Sequence, residues 1–180
     1  MKLGVFVGSF NPPHKGHIKI VNDLIKKNYL DKIIIVPTNE YWDKTNLASL
    51  KDRINMLKLY ENDKIIIDDK NNKLKYTIEV LNSIKEYYNE YEIYLIIGAD
   101  QLHKFHLWYK IDDILKYKII VINRNDIDVK KYIDKFKNSN FIISDIKSYS
   151  TSSTDIRNGN TKYLDKKVYE YIKKNKIYEV

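Results

Sequence analysis

Residues 8–17 combine glycine, hydroxyl, proline and histidine residues in an order suited to phosphate binding. They read Gly-Ser-Phe-Asn-Pro-Pro-His-Lys-Gly-His and directly follow the apolar run 3–7. Gly8 lets the backbone approach a bulky ligand, the two prolines fix the loop, and Gly16 leaves space where a helix begins. Free backbone N–H groups at the start of that helix favour an anion. The segment is therefore predicted to be a strand, a tight turn and a phosphate-binding helix start.

The two histidines of this loop are the first candidates for chemistry. His14 and His17 are three residues apart, so in a first helical turn their rings lie on one face. Imidazoles there could bind phosphate oxygens as neutral donors or as cations. The residues alone also permit a well-made turn with two surface histidines.

A second candidate lies about 140 residues further on, where residues 152–157 read Ser-Ser-Thr-Asp-Ile-Arg. Hydroxyls and a carboxylate there could simply cap a short helix. Arg157 is one of three arginines in the chain, and a guanidinium matches a phosphate group in a way that lysine does not. The motif therefore permits both a capping and a phosphate-binding interpretation.

The first loop resembles the signature of the nucleotidylyltransferase superfamily, and its Pro-Pro-His-Lys-Gly-His form is most similar to the nicotinate mononucleotide adenylyltransferases. The later motif is similar to the triphosphate-binding motif of the same family. The resemblance implies direct action of His14, His17 and Arg157 on the transferred phosphates. It implies an ATP site made of Gly8, Ser9, Phe10, His14, Gly16, His17, Asp100, Ser152, Ser153, Thr154, Ile156 and Arg157.

The same resemblance implies an acceptor site. Tyr76 and Thr77 resemble the family's Tyr-Thr helix start, and Trp108 stands where the family has a tryptophan that stacks on the pyridine ring. Asn11 and Lys44 complete the predicted acceptor site. From the residues alone, Thr77 could be a plain N-cap and Trp108 a core or surface tryptophan.

Several other residues have simpler interpretations. Asp100 could cap the helix that follows it. Together with His103 and His106 it falls on every third residue, but no second group of ligands supports a structural zinc site. Arg53 is predicted to be structural or peripheral, and the role of Arg124, after the fifth strand, stays open.

Strands alternate with helical stretches along the chain. Runs of apolar and β-branched residues predict buried strands at 3–7, 32–36, 65–67, 93–97, 118–122 and 141–143. Apolar residues at helical spacing between them predict βαβ units. A polar helix is predicted near 129–136, and a closing helix is predicted to carry Leu164, Val168, Tyr171 and Ile172 on one face. The expected fold is α/β, a doubly wound Rossmann-like parallel sheet of five to six strands with helices on both faces. With strand order 3-2-1-4-5, the loop after strand one and Gly98–Asp100 would share one crevice.

Length and composition limit the number of domains, the location and the partners that can be expected. A chain of 180 residues fits a single domain over residues 1–180. The absence of cysteine agrees with a cytoplasmic location. No signal peptide or bilayer-length run is present, so no membrane partner is expected. The net charge of +8 suits an anionic partner, but the lysines are spread along the whole chain and form no nucleic-acid patch.

The reaction implied by the resemblance is transfer of AMP from ATP to nicotinate mononucleotide, with release of pyrophosphate. Mg²⁺ is expected as cofactor, held mainly by substrate phosphates. A pantetheine-phosphate adenylyltransferase or another small-molecule nucleotidylyltransferase is the alternative enzyme. A nucleotide- or RNA-binding module is the alternative without turnover. The oligomeric state and the preference for nicotinate over nicotinamide mononucleotide stay open.

Overall fold

A computed structural model of the chain describes residues 1–39, 47–124, 126–137, 140–148, 152–178 and 180. The described strands are β1 (Lys2–Gly8), β2 (Lys32–Pro37), β3 (Ile65–Ile67), β4 (Glu92–Gly98), β5 (Lys118–Asn123) and β6 (Phe141–Lys147). The α-helices are α1 (Lys15–Lys26), α2 (Leu50–Lys58), α3 (Thr77–Tyr87), α4 (Leu102–Phe105), α5 (Ile111–Ile114), α6 (Val129–Ile133), α7 (Ser153–Arg157) and α8 (Lys166–Asn175). Short 3₁₀ turns cover Asn71–Lys73, Ala99–Gln101, Asp134–Phe136 and Thr161–Tyr163.

The described strands form one sheet in the order β3-β2-β1-β4-β5-β6, with parallel pairing throughout. The prediction of a doubly wound sheet with strands one and four adjacent is therefore confirmed. The winding reverses between β1 and β4, so the segments that follow these two strands open onto the same crevice.

Alternate residues of the strands face opposite sides of the sheet, and both sides are covered. Ile34 and Val36 belong to an apolar cluster that includes α3 and α4. Ile33 and Ile35 belong to a second cluster that includes α1. Continuous apolar strands are what a sheet buried on both faces requires.

A third cluster attaches the C-terminal helices to this frame. Ile156 of α7 and Ile172 of α8 are fully buried, and both pack with Ile18 of α1 and Met56 of α2. The second sequence motif is thereby held next to the helix that begins at the first motif.

The predicted boundaries differ from the structure at three places. The strand predicted at 141–143 continues to Lys147, because an edge strand can carry the polar residues that follow. The helical stretch predicted near 129–136 is α6 followed by a 3₁₀ turn. Leu164, predicted on the closing helix, lies before α8, yet it packs into the same cluster as Val168.

Candidate active site

The first loop turns sharply after β1 and is held by its own side chains. Phe10 has a positive φ of 47°, a conformation uncommon for a residue other than glycine. Its buried ring packs edge-on against Phe6 and His17. This packing directs the loop back over the sheet and places His17 at the floor of the crevice.

His14 and His17 stack on each other, with ring centroids 3.7 Å apart. The N–H of Gly16 donates to His14 Nδ1 at 3.1 Å, and the N–H of His14 donates to His17 Nδ1 at 3.3 Å. A ring nitrogen that accepts a hydrogen bond carries no proton, so in each neutral ring the proton is on Nε2. The loop therefore fixes the tautomer of both imidazoles and leaves their Nε2–H groups as donors.

Both histidines are neutral at physiological pH. Burial and, next to it, the charge of Arg124 lower the pKa of His14 to about 4, against the opposing effect of Asp155. Burial, then His14, then Arg124 hold the pKa of His17 well below its usual value. The imidazoles can thus act as hydrogen-bond donors, and the positive charge nearby comes from arginine.

Two cavities open at the carboxyl ends of the strands, and Val7, Gly8 and Gln101 line both of them. The large cavity, of about 490 Å³, lies between the first loop and the start of α3. Its lining includes Val7, Gly8, Ser9, Val36, Thr38, Asn71, Leu74, Lys75, Tyr76, Thr77, Val80, Gln101, Leu107, Trp108, Tyr109 and Ile114. The small cavity, of about 170 Å³, is lined by Phe6, Val7, Gly8, Phe10, His17, Ile20, Gly98, Asp100, Gln101, Ile122, Arg124 and Ser148.

Asp100 lies in the small cavity and does not cap a helix. Its carboxylate is 3.6 Å from the Arg124 guanidinium, whereas α4 begins two residues later without a side-chain cap. The capping interpretation of Asp100 is therefore wrong. Arg124, whose role the sequence left open, lies at the end of β5 beside His17 in the crevice.

The second motif docks on the first loop. Ser153 Oγ donates to the carbonyl of Pro12 at 3.0 Å, and Arg157 Nη1 donates to the carbonyl of Asn11 at 2.6 Å. Ser152 caps α7 by accepting from the N–H of Asp155, so its capping interpretation is confirmed. The side chains of the second motif thus bind backbone carbonyl groups of the first loop. The guanidinium that lines the small cavity belongs to Arg124.

Tyr76, Thr77 and Trp108 all line the large cavity. Thr77 is the first residue of α3 and Tyr76 its N-cap, so the interpretation of Thr77 as N-cap is wrong by one residue. Glu79 accepts from the backbone N–H of Tyr76 at 3.0 Å and fixes this helix start. Trp108 is half-buried and packs edge-on against Phe105.

One predicted acceptor residue, Asn11, is not among the residues that line the large cavity. The Asn11 side chain is 2 % exposed and accepts from the N–H of Ala48 and from the Tyr178 hydroxyl, which makes it a junction between segments. Lys44 lies outside the described residues.

Arg53 is structural, as predicted. Its side chain is fully buried and donates to the carbonyls of Ser9 at 2.8 Å, Thr38 at 2.7 Å and Ala48 at 3.0 Å. It therefore joins the first loop to the segment after β2, and both segments line the large cavity.

Sequence reasoning missed several lining residues, among them Arg124, Gln101, Asn71, Lys75 and Tyr109. Two of them could have been found from the topology. Arg124 directly follows the carboxyl end of β5, and Gln101 lies three residues beyond that of β4, beside the point where the winding reverses. His103 and His106 are exposed, and among the described residues no group of three or more acidic, histidine or cysteine side chains could hold a metal ion.

The chain and its fold match known proteins. The family model described as cytidylyltransferase-like matches residues 5–159. A Campylobacter jejuni protein named "probable nicotinate-nucleotide adenylyltransferase" is 32% identical over 184 residues, covering 97% of this chain and 100% of that protein. An Aquifex aeolicus protein of the same name is 38% identical, covering 73% and 84%.

The chain belongs to the nicotinate-nucleotide adenylyltransferase family.

Solved structures of the family share the fold. The nicotinic acid mononucleotide adenylyltransferase of Plasmodium falciparum, solved in complex with NaAD, superposes with a TM-score of 0.83 at 22% identity, covering 99% of this chain and 97% of that one. A putative nicotinate-nucleotide adenylyltransferase from Vibrio parahaemolyticus gives a TM-score of 0.70 at 21% identity, covering 100% and 98%. Among the described residues of this family member, no helix has both the length and the apolar character needed to cross a bilayer.

Proposed function

We propose that this protein transfers AMP from ATP to nicotinate mononucleotide, forming nicotinate adenine dinucleotide and pyrophosphate in NAD biosynthesis. The observation that carries the proposal is the pair of adjacent cavities that share Val7, Gly8 and Gln101 in their lining. One cavity contains His17 and Arg124, which suit phosphates, and the other contains Tyr76, Trp108 and Tyr109, whose rings suit a flat heterocycle. A relative named "probable nicotinate-nucleotide adenylyltransferase" aligns over nearly the whole chain.

In this reaction a 5′-phosphate oxygen of the mononucleotide attacks the α-phosphorus of ATP. A new P–O bond forms, the bond from the α-phosphorus to the bridging oxygen breaks, and its electron pair leaves with pyrophosphate. The attacking phosphate is already ionised at neutral pH, so the site needs no general base. Its task is to position two anions and to stabilise charge on the leaving group.

The proposed roles rest on the family resemblance and, for residues that line a cavity, on their positions as well. The backbone of residues 8–10 and the Ser9 side chain bind near the α-phosphate. The Nε2–H groups of His14 and His17 donate to triphosphate oxygens. Asp100 contacts the adenylate portion. The second motif, with Ser152, Ser153, Thr154, Ile156 and Arg157, supports the triphosphate end, and Gly16 leaves space for it. Arg124 joins this set because it lines the small cavity beside His17.

The acceptor binds in the large cavity. Tyr76, Thr77 and Trp108 contact its pyridine ring in this proposal, while Asn11 acts by holding the loop. Lys44 remains a sequence prediction. No nucleic acid is expected as a partner, and a cytoplasmic single-domain protein remains part of the proposal.

The ATP substrate enters as its Mg²⁺ complex. The described residues offer no protein cage for a metal, and this donor set fits an ion whose ligands are phosphate oxygens and water, which Mg²⁺ prefers. The ion neutralises phosphate charge when bound, while the chain binds and orients the phosphates.

An acceptor panel tests the proposal. The purified protein is supplied with MgATP and, separately, nicotinate mononucleotide, nicotinamide mononucleotide or 4′-phosphopantetheine, and pyrophosphate release is measured. The proposal expects the highest kcat/KM with nicotinate mononucleotide. Pyrophosphate release with phosphopantetheine and neither pyridine nucleotide would support the alternative enzyme, and ATP binding without any release would support a nucleotide-binding module.

A further inference from the structure

The large cavity carries one charge on its described lining. Of the residues that line it, Lys75 is the one with an ionised side chain, and the others are apolar or neutral. Its ammonium group forms no ion pair with any described carboxylate. Among the described residues, no carboxylate pairs with this positive charge.

The position of Lys75 is fixed by the helix that follows. Its backbone N–H and that of Tyr76 both donate to Glu79 Oε2, at 3.2 and 3.0 Å. The Glu79 carboxylate is thus engaged with the backbone. The ammonium group lies 5.2 Å from the centroid of the Tyr76 ring, whose other neighbour is the Tyr109 ring, stacked at 4.2 Å.

We propose that Lys75 is a specificity-determining residue that selects an acceptor with a ring carboxylate over the corresponding amide. The inference rests on the proposed function, because it concerns the acceptor of that reaction. Nicotinate and nicotinamide mononucleotide share the ribose phosphate and differ in whether the ring substituent is charged. An ammonium group beside the Tyr76 ring that pairs with no described carboxylate attracts the ring carboxylate of the acceptor and gains nothing comparable from the neutral amide.

The test compares kcat/KM for the two mononucleotides in the wild type and in Lys75→Met, which keeps the length of the side chain and removes its charge. We expect kcat/KM for nicotinate mononucleotide to fall about fivefold through KM, the upper range for an exposed ion pair, with nicotinamide mononucleotide unchanged. Lys75→Arg should retain most of the preference. Lys73→Met is the matched control, since Lys73 is exposed two residues earlier and is not among the lining residues.

An equal loss for both acceptors in Lys75→Met overturns the proposal, because the lysine then serves the shared phosphate or the fold. If Lys75→Met leaves the ratio of kcat/KM for nicotinate mononucleotide to kcat/KM for nicotinamide mononucleotide unchanged, the proposal is overturned as well. Calorimetric titration of each mononucleotide in the absence of ATP separates this result from a failure of the proposed function. The wild type could bind nicotinate mononucleotide more tightly than nicotinamide mononucleotide, lose this preference in Lys75→Met, and still form no dinucleotide. In that case the role of Lys75 in specificity is supported and the proposed reaction is wrong.

Discussion

At the scale of single residues, the site depends on hydrogen bonds that set the protonation of two histidines. Each Nδ1 accepts a backbone N–H, so each neutral ring has its donor at Nε2. A neutral donor binds phosphate oxygens without a pH-dependent change of charge near neutrality. In the proposed reaction, His14 and His17 thus orient the phosphates, and the positive charge comes from arginine and from the metal that accompanies ATP.

Replacement of His17 tests this role. We expect His17→Ala to lower kcat about 100-fold, the loss typical of one donor to a transition-state oxygen. His17→Gln should recover part of that loss, because its amide can donate from near the Nε2 position. The measurement is steady-state pyrophosphate release, and a raised KM with unchanged kcat would contradict the role.

The shifted pKa of His14 makes stability depend on pH. Its pKa is about 4 in the folded protein against 6.5 in the unfolded chain, so the unfolded chain takes up the proton first as the pH falls. The free energy of unfolding therefore decreases by up to about 1.4 kcal/mol per pH unit between pH 6.5 and 4 from this residue. Urea unfolding at several pH values should show a shallower decline in His14→Gln. An exposed control, His103→Gln, should keep the slope of the wild type.

At the scale of elements, the loops at the carboxyl ends of β1 and β2 are joined by buried contacts that lie outside the sheet. Arg53 of α2 reaches three carbonyl groups on three segments. Asn11 connects the first loop to Ala48 and Tyr178, and Arg157 donates to its carbonyl. The walls of the site are thus positioned by a few polar side chains and by the third apolar cluster.

Arg53→Met should destabilise the protein by about 3 kcal/mol, because it leaves buried carbonyl groups without donors. Arg53→Lys should recover part of this, since it restores the charge without the planar fork. The free energy of unfolding is measured by urea denaturation. Lys51→Met, exposed on the same helix, should change it by no more than about 0.5 kcal/mol. Equal stability of Arg53→Met and Lys51→Met would contradict the structural role.

At the scale of the whole molecule, the sheet could be predicted and much of the site lining could not. Continuous apolar strands separated by helical periodicity lead to a doubly wound sheet on general grounds. That topology brings the first loop and Gly98–Asp100 together, as the strand order confirms. The two motifs could be recognised because their residue types suit phosphate and their order along the chain matches a known family.

The remaining features depend on loop conformations that no periodicity encodes. The positive φ of Phe10 aims the first loop, and the contact between Tyr178 and Asn11 spans 167 positions. The sequence left the role of Arg124 open, and its place in the small cavity follows from its position at the end of β5. The family resemblance did not single out Lys75 either. Long-range packing of irregular segments therefore has to be observed.

A crystal structure with nicotinate adenine dinucleotide bound tests the central claim most directly. We expect the adenylate portion in the small cavity near Asp100 and Arg124, the pyridine ring in the large cavity beside Tyr76 and Trp108, and the bridging phosphates at Gly8 within reach of His17 Nε2. A dinucleotide with its phosphates away from the first loop, or with both bases in one cavity, would contradict the account.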